Sequence, residues 1–349
     1  MKALTVIPGR VGSARLEAVP DPTPEQGEVL VQTLAVGVCG TDIDILAGHY
    51  GTPAPGREHL ILGHEALGRV LDAPPGCGLQ PGDLVAGIVR RPDPVPCLNC
   101  AAGEWDMCRN GLFSERGIKS LDGFCSERFR IEPAFAVKLS LRLERTGALV
   151  EPASVVAKAW EHIEHIDRIG SRAVWSPSRV LVTGAGPIGL LAALLGVQRG
   201  LEMHVLDRVT DGPKPELVRS LGATYHTSSI QEARPDADII VECTGATALV
   251  IDAINYNAPN GIVCLTGVSS GERRQTIDVS TLNRTMVLQN DVVFGSVNAN
   301  RRHFEAAVKA LEQADQAWLE GLITRRVPLA RWEEALVRQP FDVKPLIEL

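Results

Sequence analysis

The chain has 349 residues, 45% of them hydrophobic, with 35 Lys and Arg against 42 Asp and Glu for a formal charge of -7. At roughly 150 residues per domain this is enough for about two domains, each able to bury a core without cross-links. Lacking any basic block, the sequence is not that of a nucleic-acid binder.

The opening MKALTVIP is broken by Pro8 too early for a signal peptide. No uncharged stretch of about 18 residues follows, so no membrane partner is expected and the protein is read as cytoplasmic. Eight cysteines in a reducing compartment point to metal ligation or chemistry, not to disulfides.

From Met1 to about Val150 the sequence is a series of short apolar runs cut by turns: ALTVI, then Glu28 to Val38, then Asp83 to Val89. That pattern predicts irregular, mostly antiparallel β structure. Between Pro92 and Arg109 the chain is rich in Pro and Cys and poor in large apolar residues, so something other than a core must hold it. Helical spacing follows from Ala153 to Arg168, and then strands and helices alternate. Strands are expected at Arg179 to Thr183, Met203 to Leu206, Asp238 to Glu242, Ile262 to Thr266 and Val292 to Gly295. Helices are expected at Ile188 to Gln198, Pro215 to Leu221 and Ala246 to Tyr256. Such alternation predicts a doubly wound parallel sheet with helices on both faces. Two amphipathic helices, Arg302 to Gln313 and Ala330 to Val337, are expected to return to the first domain. The layout is therefore α/β: a mainly β domain over 1–152, a dinucleotide-binding domain over 153–297, and a returning segment over 298–349.

GAGPIG follows the strand VLVT directly. Gly184 permits the tight turn, Gly186 admits a pyrophosphate close to the backbone, and Gly189 lets helix and strand pack. Pro187 and Ile188 open a helix whose free N–H groups face the phosphates. Asp207 ends the second strand, where a carboxylate accepts the ribose hydroxyls of NAD and repels the extra phosphate of NADP. Arg208 beside it attracts that phosphate, so the expectation is NAD preferred with NADP accepted. Thr244 and Gly245 follow a third strand on its carboxyl side, where the cofactor crosses.

Cys39 in CGTD, His64 and Glu65 in GHEALG, and Glu151 in VEPAS offer a thiolate, an imidazole and carboxylates, a set suited to a catalytic zinc with one open position. A buried Glu beside a His also needs a charge partner. Cys97, Cys100 and Cys108 form a CxxC followed by a third Cys, the pattern of a closed structural zinc. Such a site needs four ligands; Asp93 is the candidate fourth, and three free thiols in a metal-free loop are the alternative. Cys77, Cys125, Cys243 and Cys264 are read as packing residues, and His162 and His165 as part of a solvated helix face.

CGTD, GHEALG, GDLVAG, the Cys-rich segment and GAGPIG, in that order, resemble the zinc-dependent medium-chain dehydrogenases. VRRP, FSERGI, LDGFCSE, VEPAS, GSVN and HFEAA are similar to the microbial glucose dehydrogenase branch. The resemblance spans nearly the whole chain and implies a GroES-like catalytic domain plus a Rossmann domain. It implies oxidation of an aldose such as glucose at C1 to the lactone, with hydride passing to NAD(P); a polyol or other secondary alcohol is the alternative substrate. A non-catalytic nucleotide-binding protein is the third reading. Cys39, His64 and Glu151 would hold the catalytic zinc, with Glu65 a direct ligand or a partner through water. Thr41 would bond the reacting hydroxyl and pass its proton outward by way of His49. Glu115 and Asn298 would contact the sugar or the nicotinamide end, Glu151 would also contact the substrate, and Lys344 would approach the same cleft. Val89 and Leu288 depart from polar residues that can occur at their positions. A homodimer or homotetramer is expected.

Overall fold

The apolar and polar alternation of VLVQTLAVG gives the strand Val29–Gly37, on which the first part of the fold is assembled. A computed structural model describes the chain except residues 24, 26, 170–174, 234–235 and 270–275, and the side chains of 167–169. It divides into two units, Met1–Ser154 with Asn298–Leu349, and Val155–Val297.

In the first unit Val29–Gly37 pairs antiparallel with Glu65–Asp72, Arg128–Ile131 and Lys344–Glu348. Outward from Glu65–Asp72 the sheet continues through Leu84–Gly87 to Ala136–Leu139; beyond Lys344–Glu348 it ends at Ile323–Pro328. Val31, Val36, Leu67, Leu84 and Ile347 are all buried, each contributing on the order of 1.5–3 kcal/mol by leaving water. A second, three-stranded sheet brings Arg90–Arg91 against Ser114–Arg116, with Arg90 opposite Glu115.

The returning segment carries the expected helix, Arg301–Gln313, but the predicted helix at Ala330 to Val337 is a 3-10 turn, Leu329–Arg331, and a short helix, Trp332–Leu336. The strands Ile323–Pro328 and Lys344–Glu348 were not anticipated. Arg325 and Arg326 hide the strand pattern of ITRRVP, and the fold places Asp342 and Glu348 against them.

The second unit is a six-stranded sheet, parallel throughout. Arg179–Thr183 stands in the middle; Glu202–Leu206 and Thr224–His226 step to one side, and Ile239–Glu242, Ile262–Leu265 and Val292–Gly295 to the other. Strand order therefore reverses beside Arg179–Thr183, the place where doubly wound sheets take ligands at their carboxyl ends. Leu181, Leu206, Ile240 and Val263 meet Ile230 and Ala253 in one buried cluster. The strand Thr224–His226 and the helix Val279–Gln289 lay outside the sequence reading; the helix buries no residue and is fixed at its start by the Asp278 side chain. Among the described residues no helix is long and apolar enough to cross a membrane.

Candidate metal and dinucleotide sites

Cys39 precedes the helix Gly40–Leu46, while His64 and Glu65 stand at the start of Glu65–Asp72, the neighbour of Val29–Gly37. One ligand atom from each of Cys39, His64 and Glu65 lies within 4.8 Å of the others. Asp42, which the sequence reading missed, organises them. Its Oδ2 accepts the Cys39 N–H at 2.9 Å, and its Oδ1 stands 3.5 Å from His64 Nδ1. Among the described residues neither Oδ1 nor Nδ1 has another hydrogen-bond partner, although both are buried. A ring whose Nδ1 faces a carboxylate offers Nε2 to a metal, so the donor set fits zinc. Burial alone would lower the His64 pKa, but the Asp42 charge and bonds to Asp42 and Cys39 carry it well above its ordinary value. The signal for Asp42 was in CGTD itself, an acid three residues after the Cys, where it also closes the capping box of the helix.

Glu65 is 1% exposed, and both its oxygens accept from Lys344 Nζ at 2.7 Å. Lys344 also donates to the Val38 carbonyl at 3.0 Å. Gly37, opposite Glu65 in the sheet, makes room for the pair: a Cβ there would fall 1.9 Å from Glu65 Oε2. Glu151, in the first turn of Val150–Ile169, lies outside the 4.8 Å group but feels its charges. Desolvation raises its carboxyl to about 7, with Glu65 and Asp42 adding to the rise and His64 and Lys344 opposing it. Thr41 Oγ1 is 4.0 Å from Cys39 Sγ. His49 is exposed at the turn after that helix, and its ring makes no hydrogen bond among the described residues.

Cys97, Cys100 and Cys108 also converge within 4.8 Å. The Arg109 and Cys100 N–H groups bring the Cys97 thiol down to about 6, whereas burial pushes Cys100 up to about 11. Asp93 is not in that group: its Oδ1 accepts the Val95 N–H at 2.8 Å, and Oδ2 is buried without a hydrogen bond among the described residues. Three sulfurs gathered this closely fit a zinc, with the fourth ligand not supplied by Asp93 as placed.

Glu115 is 4% exposed, and its Oε1 accepts from Arg90 and from Asn298 Nδ2 at 2.7 Å. Asn298 joins Glu115 in the first unit, from a left-handed backbone with φ 62°.

In the second unit Gly184 has φ +91°, and a Cβ on it would meet the Thr244 methyl at 2.7 Å. A Cβ on Gly189 would fall 1.8 Å from the Gly184 carbonyl oxygen, so helix and strand touch there. Gly186 differs, because a Cβ on it would meet nothing within 4 Å. That open space lies at the start of the helix Pro187–Val197, which has no side-chain cap, and it fits a diphosphate. Ile188 continues that first turn. Asp207 is held by the Ala185 N–H at 2.7 Å, the Val209 N–H at 3.1 Å and Lys214 Nζ at 3.3 Å. Desolvation opposes its ionisation, but those donors keep the carboxyl below its ordinary value. Arg208 is exposed. Glu242, unremarked in the sequence reading, is fully buried and accepts from the Thr183 hydroxyl, the Thr244 N–H and hydroxyl, and the Gly245 N–H. It fixes the Thr244 and Gly245 loop beside Gly184; the sequence signal was an acid ending an apolar strand.

Two family models match this chain. The alcohol dehydrogenase GroES-like domain matches residues 25–140, and the glucose dehydrogenase C-terminus matches residues 144–349. Glucose 1-dehydrogenases of Methanocella arvoryzae and Thermoproteus tenax are 38% and 39% identical, each over 100% of this chain and 99% of the relative. The structure of Haloferax mediterranei glucose dehydrogenase in complex with NADP, Zn and gluconolactone superposes with a TM-score of 0.91 at 35% identity, covering 100% of this chain and 99% of that one. With a mainly β GroES-like unit and a parallel-sheet nucleotide unit carrying these motifs, the chain belongs to the glucose dehydrogenase branch of the zinc-dependent medium-chain dehydrogenases.

Proposed function

We propose that the protein oxidises an aldose such as D-glucose at C1 to the lactone and passes the hydride to NAD(P). The observation that carries this reading is the convergence of Cys39, His64 and Glu65, with Glu151 beside them. Zinc held there would supply a positive centre for the oxyanion formed when the C1 hydroxyl loses its proton, and the nicotinamide would supply the acceptor for the hydride that leaves C1. Asp42 faces His64 Nδ1, which would leave the other ring nitrogen to hold the metal. Lys344 neutralises Glu65 and leaves the site with fewer unpaired carboxylates. Thr41, beside Cys39, takes the hydroxyl proton at Oγ1 and hands it toward solvent, where His49 stands exposed. Glu115, paired with Arg90, accepts hydrogen bonds from the sugar hydroxyls.

NAD is the preferred dinucleotide, through Asp207 against the ribose hydroxyls, and NADP is accepted through Arg208. The eight cysteines, all unpaired, suit a cytoplasmic protein.

A panel of aldoses and polyols, run with NAD and with NADP and followed at the reduced-nicotinamide absorbance, tests the proposal. Aldose turnover that vanishes on chelation and returns with zinc is the expected result; turnover of polyols alone assigns the alternative substrate. An unchanged NAD-to-NADP ratio in Asp207→Ala overturns the argument from the carboxylate.

A further inference from the structure

Arg90 lies directly across the sheet from Glu115, and both are buried. Its Nε and Nη2 donate to Glu115 Oε1 at 3.0 and 2.9 Å, and Asn298 Nδ2 donates to the same oxygen at 2.7 Å. Three donors therefore converge on one oxygen, while Oε2 has no hydrogen-bond donor among the described residues. The guanidinium cannot turn away. Its Nη1 donates to the Asp106 carbonyl at 3.0 Å, and its flat face lies 3.7 Å from the centre of the Phe113 ring. Asp106 belongs to the 3-10 turn Trp105–Met107, between Cys100 and Cys108, and its carboxylate accepts from Asn300 at 3.0 Å. Asn300 is two residues from Asn298. Both groups that aim Glu115 are thus tied to the Cys-rich lobe.

We propose that Arg90 is a positioning residue for substrate: it fills one oxygen of Glu115 and turns the other toward the sugar hydroxyls, so it sets sugar affinity without touching C1. This rests on the aldose oxidation proposed above. A planar fork with fixed donors suits the task, and a Lys, which offers a point charge, does not reproduce it. Because the contact is to hydroxyls remote from the reacting carbon, its loss acts on binding in ground state and transition state alike and appears in KM rather than kcat.

The test uses the zinc-loaded, full-length enzyme with Arg90→Gln and Arg90→Lys. For the sugar, KM is expected to rise at least tenfold in Arg90→Gln and less in Arg90→Lys, with kcat within about threefold of the parent, as the loss of a charge-assisted hydrogen bond predicts. Zinc content and the dissociation constant for the dinucleotide, read by fluorescence, stay unchanged. Deoxy sugars supply the decisive arm: at least one analogue, lacking a hydroxyl that Glu115 accepts, shows the same KM in parent and Arg90→Gln. An unchanged KM for the full sugar overturns the proposal, as does an equal rise for every deoxy analogue, which would mark a merely structural role. A parent enzyme that oxidises no aldose refutes the underlying reaction instead, so the two failures are distinguishable.

Discussion

Lys344→Met removes the cation from a pair in which both side chains are almost wholly buried, 2% and 1% exposed, and leaves the Glu65 carboxylate beside Cys39, His64 and Glu151 without it. The methionine keeps most of the apolar stem, so the loss is chiefly electrostatic. Removing one partner of a buried pair costs about 3–5 kcal/mol because the other is left uncompensated. At about 1.4 kcal/mol per factor of ten, amide exchange in Val29–Gly37 should accelerate by roughly a hundredfold to four-thousandfold when it proceeds through unfolding of the first unit. Exchange on that strand reads the first unit alone, whereas a thermal scan mixes two units. The measurement is made on chelated protein, since zinc would itself neutralise Glu65. Adding Glu65→Gln to Lys344→Met removes the stranded charge and should recover most of the loss. A single variant that exchanges like the parent, or a double variant worse than the single, refutes the assignment of Lys344 as the charge partner.

Glu151 makes the metal-free protein pH-dependent. Its carboxyl, raised from 4.5 to about 7 chiefly by desolvation, holds a proton in the folded chain that the unfolded chain has released. Stability therefore falls as pH rises through that interval, and Glu151→Gln flattens this part of the urea-unfolding profile. Gly186→Ala keeps the melting temperature of the parent, because its Cβ meets no protein atom, but weakens dinucleotide binding at least tenfold in a fluorescence titration. Gly189→Ala, whose Cβ would fall 1.8 Å from the Gly184 oxygen, also lowers the melting temperature. Metal analysis should find two zinc ions per chain and one in Cys100→Ser; an unchanged count would remove the Cys lobe as a metal site.

What the sequence made legible was local. GAGPIG carries its own strand and helix, and its three glycines have distinct steric reasons that the fold bears out at Gly184 and Gly189. CGTD and GHEALG offered candidate metal donors through residue type alone, and the fold brings Cys39, His64 and Glu65 together. Partners remote in the chain were not legible: Glu65 meets Lys344 across 279 positions, and Arg90 meets Asp106 through a backbone carbonyl, which no side-chain pattern encodes. Asp93 was proposed by counting ligands, and counting does not reveal that its carboxylate closes a turn on Val95. The strand Ile323–Pro328 was hidden because its paired arginines make it look like surface.

The first unit is interrupted by the second, and its strand Lys344–Glu348 comes from the far end of the sequence. During translation the ribosome has delivered all of Val155–Val297 before the cation that balances Glu65 exists. Since domains fold as units while the chain emerges, the nucleotide-binding part is free to mature early, whereas the pocket around Glu65 waits for Lys344. Until Lys344 is delivered, Glu65 must stay hydrated or protonated, so the maturation of the pocket around this carboxylate follows synthesis of the whole nucleotide-binding unit.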